Sequence, residues 1–231
     1  MAVLPACGGK AADDERASRA SAPEVAAAAP AANSENARKA DAPRIIFLGD
    51  SLTAGLGLDV SQSFPSVIQE RLDRGGYGYE VVNAGVSGDT SAGGLRRLDW
   101  AMSEGNPRIL VVALGGNDGL RGLPPEQLEE NLGAIIERGQ KRGLTVILAG
   151  MEAPPNFGAD YTARFRRVYV TLAEKHKVRL IPFLLDGVAG VAALNQPDGI
   201  HPNTRGAAMV ADLVWRALEP ELASADRTPA Q

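Results

Sequence analysis

The stretch RIIFLGDSLTAG, residues 44–55, decides the fold. Four consecutive large apolar residues follow Arg44 with no alternation of apolar and polar positions. A strand of that composition is covered on both faces, as strands of a parallel sheet are. Gly49 ends the run, and Asp50 and Ser51 stand where the strand turns into whatever follows.

The same kind of run recurs at residues 80–82, 109–114, 145–149 and 178–183, each rich in Val, Ile or Leu and bounded by Gly, Asn or Pro. Between these runs lie stretches with helical spacing. Residues 64–74 place Phe64, Val67, Ile68 and Leu72 on one face, and residues 125–142 open on a proline and align Leu128, Leu132, Ile135 and Ile136. Residues 159–177 and 204–218 behave alike. Strands alternating with helices predict an α/β sandwich around a parallel sheet.

Composition narrows the function. In 231 residues, 24 Lys and Arg stand against 28 Asp and Glu, a net charge of −4, and aromatics make up 5%. Neither a basic face for phosphates nor a stock of rings for base stacking is available, so nucleic acid is not an expected partner. The single cysteine, Cys7, excludes an intramolecular disulfide and a multi-thiolate metal site. No apolar run approaches the ~18 residues of a spanning helix.

Residues 1–42 are rich in Ala, Ser, Glu, Asp and Pro beyond their first few positions. Such a segment buries too little surface to offset its ordering entropy and is expected to be a disordered tether. A folded domain is expected over 43–222 and a flexible tail over 223–231.

Three of the strand ends carry polar clusters, and the carboxyl ends of parallel strands are where function gathers. Asp50 and Ser51 follow the first; a serine on such a turn presents an exposed hydroxyl, or simply caps the next helix. After the second comes NAGVSGDT, residues 83–90, whose glycines free backbone N–H groups to face a ligand or merely form a turn. After the third comes GGNDG, residues 115–119, in which the Asn117 amide can donate into a shared cleft or adopt a left-handed turn. Downstream stands DGIHPN, residues 198–203. An aspartate three residues before a histidine can reach its Nδ1 side and stabilise the imidazolium formed when Nε2 takes a proton. The other histidine, His176, sits among Glu174, Lys175 and Lys177 and reads as solvated surface.

Taken together, GDSLTAGLG, NAGVSGDTSAGGL, LGGNDGLRGLPP and DGIHPN, in this order, resemble the GDSL-type SGNH hydrolase superfamily. The chain is most similar to its bacterial thioesterase I/protease I/lysophospholipase L1 (arylesterase) group. The resemblance runs from about residue 44 to about 222. It implies a three-layer, flavodoxin-like α/β/α sandwich around a five-stranded parallel sheet, and a serine esterase or thioesterase acting on aryl esters, acyl-CoA or lysophospholipids. Other branches deacetylate carbohydrates or cell-wall glycans, and a non-catalytic acyl-lipid-binding protein is a remote alternative on the same scaffold.

Residue by residue, the resemblance implies Ser51 as nucleophile, His201 as general base and Asp198 as its orienting carboxylate. The oxyanion hole maps to the Ser51 and Gly88 backbone N–H groups and the Asn117 side chain. It implies no metal or organic cofactor, and a small acyl ester or thioester as the partner. Asp50, Leu52, Pro154, Pro155, Asn156 and Phe157 are the expected substrate-binding residues. Close relatives carry Tyr where this chain has Phe157, and Glu152 also departs from their pattern. The first residues, MAVLPACGG, resemble the end of a bacterial lipoprotein signal, in which a small residue precedes a cysteine that is then acylated. That implies a periplasmic or membrane-anchored protein with Cys7 as lipid anchor, or a cytoplasmic one if Met1 is the true start.

Overall fold

A computed structural model describes residues 42–103 and 105–225. The expected tether and Cys7 lie outside the described residues.

Five strands, β1 (Pro43–Gly49), β2 (Glu80–Gly85), β3 (Asn106–Ala113), β4 (Thr145–Ala149) and β5 (Arg179–Ile181), form one sheet in the order β2-β1-β3-β4-β5. Every neighbouring pair is parallel. The reason is visible in β1 and β3: Ile45, Ile46, Phe47 and Leu48, and Ile109 through Val112, are all completely buried. A strand apolar on both faces is stable only when helices cover both.

Among the described residues seven helices supply the cover: α1 (Ser51–Ala54), α2 (Phe64–Gly75), α3 (Ser91–Ala101), α4 (Gly116–Leu120), α5 (Pro125–Lys141), α6 (Ala159–His176) and α7 (Thr204–Ala225). α2 packs against α7, while α5 packs against both α3 and α6, making two helical layers around the sheet. The expected three-layer sandwich is therefore the observed one. α7 continues to Ala225, seven residues past the last position at which apolar spacing marked it.

Three helices escaped the periodicity: α1 and α4, of four and five residues, are too short to show one, and α3 is the third. α3 reads SAGGLRRLDWA, and its two glycines weaken any helical signal. They are there for packing. A Cβ on Gly94 would lie 2.2 Å from Leu114 Cδ1, so any other residue there would displace the buried Leu114 side chain. The strand order also fixes where a ligand belongs. The chain leaves β1 toward β2 and returns past β1 to β3, so the crevice opens between the carboxyl ends of β1 and β3.

Candidate active site

The turn after β1 begins with Asp50, whose Oδ1 accepts the Leu52 N–H at 3.0 Å and caps α1. Ser51 follows as the first residue of α1 and lines the cleft. Its Oγ lies 2.9 Å from His201 Nε2, across 150 residues of chain.

His201 is held by a local device. Asp198 Oδ1 accepts the backbone N–H groups of Ile200 at 2.9 Å and His201 at 3.0 Å, leaving Oδ2 to meet His201 Nδ1 at 2.7 Å. The His201 N–H, the imidazole and the Ile200 N–H hold the Asp198 carboxyl down at about 2. It is ionised throughout the range in which an imidazole changes charge. A carboxylate on Nδ1 keeps Nε2 free to accept a proton from Ser51. Gln196 joins this loop to the nucleophile side, donating from Nε2 to Leu56 O at 2.7 Å and to Pro202 O at 3.0 Å.

The opposite wall carries Gly88 and Asn117. Gly88 has φ +84°, in the left-handed region that glycine alone enters without strain. Asn117 follows β3 in α4, and its Nδ2 donates to the Asp89 carbonyl at 2.9 Å. A primary amide has two hydrogens on that nitrogen. The second faces Asp50 Oδ2 at 3.4 Å, too long for a strong bond, and is therefore available to a developing oxyanion. Asp118, beside Asn117, is buried and accepts the Ser91 N–H at 2.8 Å and Ser91 Oγ–H at 2.6 Å, which ties α4 to α3.

Asp50 is 2% exposed, and burial pushes its carboxyl up from 3.8 to about 6, against the Leu52 N–H bond and the His201 charge that lower it.

These groups meet in a cleft of about 590 Å³. Ser51, Gly88, Asn117 and His201 all line it, as do Asp50, Leu52, Pro154 and Pro155 among the expected substrate contacts. Asn156 and Phe157 do not. Phe157 instead packs on Tyr161, ring centroids 5.3 Å apart, and against Gly122, which turns it away from the cavity. Glu152 does line the cleft and pairs with Arg166 at 3.1 Å. His176 is not solvated surface: its Nε2 is buried near Gly133 without a hydrogen-bond partner, because α6 packs that end against α5. It lies outside the cleft.

Sequence reasoning missed Arg97, whose Nε donates to Asp89 Oδ2 at 2.6 Å. Arg97 was invisible because α3 itself gave no periodic signal.

Comparison with known proteins agrees with this geometry. Residues 47–209 match the model of the GDSL-like Lipase/Acylhydrolase family. Esterase TesA of Pseudomonas aeruginosa is 45% identical over 185 residues, covering 80% of this chain and 92% of the relative. Thioesterase 1/protease 1/lysophospholipase L1 of Escherichia coli strain K12 is 37% identical over 183 residues, 79% of this chain and 86% of the relative. A crystal structure of TesA superposes with a TM-score of 0.73 at 46% identity, covering 77% of this chain and 98% of that one. A polar constellation at the switch point of a five-stranded parallel sheet, with relatives matched over most of their length, has one family reading: the chain belongs to the GDSL-like lipase/acylhydrolase family.

Proposed function

We propose that this protein hydrolyses acyl esters and thioesters through a covalent acyl-enzyme on Ser51. The observation that carries the mechanism is the continuous chain of contacts from Ser51 Oγ to His201 Nε2 at 2.9 Å and from His201 Nδ1 to Asp198 at 2.7 Å. Ser51 Oγ attacks the acyl carbonyl carbon while its proton passes to His201 Nε2. The carbonyl π bond opens and its oxygen becomes an oxyanion. The N–H groups of Ser51 and Gly88 and the second Nδ2 hydrogen of Asn117 donate to it. Collapse re-forms the carbonyl and expels the alkoxide, phenoxide or thiolate, which takes the proton from His201. Water, deprotonated by the same imidazole, then attacks the acyl carbon; the second tetrahedral intermediate collapses, breaking the bond to Ser51 Oγ, which takes the proton back from His201 as the carboxylic acid leaves.

Substrate class follows from the walls. Leu52, Leu56, Leu120, Met151, Phe183, Leu185 and Ile200 line the cleft, and Leu56, Leu120 and Ile200 remain nearly half exposed at 47%, 47% and 46%. Large aliphatic side chains held open to water around a reactive serine suit an acyl chain. Each methylene transferred into them contributes about 0.8 kcal/mol, or roughly fourfold in kcat/KM.

The test is a series of p-nitrophenyl esters from acetyl to palmitoyl, with acyl-CoA and lysophosphatidylcholine alongside. Rising kcat/KM along the series until the cleft fills supports the reading. Turnover confined to acetyl esters would replace it with deacetylation of small substrates, and no turnover of any would leave only acyl binding. Among the described residues no helix is long and apolar enough to cross a membrane. We infer a lipid anchor at Cys7, placing the enzyme at a bacterial periplasmic membrane surface; mass spectrometry finding Cys7 unmodified in the native host would refute that.

A further inference from the structure

The loop between β2 and α3 carries two parts of the proposed oxyanion hole: the Gly88 N–H, and the Asp89 carbonyl on which the Asn117 amide rests. Its own backbone closes only one turn, from the Asp89 N–H to Val86 O at 3.1 Å. Gly88 contributes no side chain to anchor it. An external brace is required if the donors are to stay within tenths of an ångström of their working positions, the tolerance that preorganised catalysis demands.

We propose that Arg97 is that brace, a positioning residue that sets the oxyanion donors against the nucleophile turn. Its guanidinium makes three short bonds to three different pieces of backbone or side chain. Nε donates to Asp89 Oδ2 at 2.6 Å, Nη1 to Ala84 O at 2.7 Å and Nη2 to Gly49 O at 2.7 Å. Ala84 lies at the end of β2, and Gly49 ends β1, two residues before Ser51. Gly49 O also accepts the Val86 N–H at 3.0 Å, so the two strand exits and the donor loop are closed into one rigid unit.

The pair is largely withdrawn from water, with side-chain exposures of 16% for Arg97 and 18% for Asp89. A planar fork with fixed donor directions can span three acceptors in this way; an ammonium, a point charge on a flexible stem, cannot. Arg121 supports the loop from outside, donating to Gly88 O at 2.9 Å, but it is solvent-exposed and touches the loop at one point. Arg97 itself does not line the cleft, so it acts on the reaction only through the loop.

This inference rests on the oxyanion reading above, and the experiment separates the two. Arg97→Lys keeps a cation for Asp89 and gives up the bonds to Gly49 O and Ala84 O; Asp89→Asn keeps the carbonyl that holds Asn117 and gives up the charged partner. Each is prepared alone and combined with Asn117→Ala, and kcat and KM are measured on a soluble p-nitrophenyl ester at a temperature where all variants are folded by circular dichroism. Arg97→Lys is expected to lower kcat by about 10- to 100-fold, with KM changed less than threefold, because a misplaced donor costs transition-state binding alone. With Asn117 already truncated the same change is expected to cost less than about threefold, since residues acting as one unit are not additive.

An equal loss of kcat in both backgrounds, a loss confined to KM, or a lowered melting temperature with kcat intact would each overturn the proposal. Asp89→Asn reports by the same criteria should Arg97→Lys fail to fold. An Asn117→Ala variant with normal kcat would instead strike at the oxyanion reading itself, whatever Arg97→Lys does.

Discussion

Asp198 reaches His201 across three residues, with two backbone N–H groups of the same loop fixing its carboxylate. Asn117, on the facing wall, is held by a carbonyl 28 residues away, in a loop that Arg97 must secure from a third element. The Asp198–His201 wall, the proposed proton relay, is thus a local motif tied to the nucleophile side by His201 to Ser51 and by Gln196 to Leu56. The oxyanion wall is a tertiary assembly of β1, β2, α3 and α4 with several buried polar links. A local motif stays intact when one neighbour changes, whereas a mesh of shared acceptors transmits a change to every member.

The largest expected effect separates the two walls by chemistry. His201→Gln should lower turnover to no more than a few per cent of wild type, because Ser51 then has no base within reach. Stopped assays at high enzyme concentration measure the residue. Substantial activity would mean that another group takes the serine proton.

Next comes the other wall. Asn117→Ala should lower kcat by roughly 10²–10³ with KM nearly unchanged, as expected for a donor that acts mainly on the transition state. A pure KM effect would make Asn117 a substrate-positioning residue and the two walls less distinct than described.

Asp50 faces Asn117 and is influenced by the His201 charge, and its titration gives a smaller, thermodynamic signal. Burial raises its carboxyl from 3.8 to about 6, so between those values the folded protein holds a proton that the unfolded chain has lost. Stability from this group is therefore present at low pH and declines as pH rises through that window. Asp50→Asn removes the dependence. Measured by chemical denaturation, its stability relative to wild type should improve between pH 4 and pH 7, by about 3 kcal/mol at most. A difference that is flat with pH would contradict the buried-charge assignment.

The smallest effect is the control. His176→Gln should leave kcat/KM on a p-nitrophenyl ester unchanged, since His176 ends α6 against α5, away from the cleft.

The contrast between the walls also explains what was legible in the sequence. Ser51, Asp198 and His201 sit in short motifs whose spacing is their geometry, and the apolar runs at Ile45–Leu48 and Ile109–Val112 are their own evidence for a doubly covered sheet. Arg97 and Gln196 carry no such signature, because each acts through acceptors in other elements, and although Asp89 lies in the NAGVSGDT run, nothing in that run shows that its carboxylate meets Arg97. Arg97 was further hidden by the glycines of α3, which serve close packing at the expense of helical pattern. Phe157 was expected in the cleft from the resemblance alone, and its packing on Tyr161 and against Gly122 has no local signal in the sequence.

The claim common to all of this is that the hydroxyl of Ser51 becomes the acyl carrier. Intact-protein and peptide mass spectrometry after rapid mixing with a p-nitrophenyl ester, quenched in acid, tests it most directly. The account predicts a burst of p-nitrophenol approaching one per active site, an added acyl mass on the peptide containing Ser51, and neither in Ser51→Ala. A burst with the adduct on a different residue, or full activity in Ser51→Ala, would contradict it.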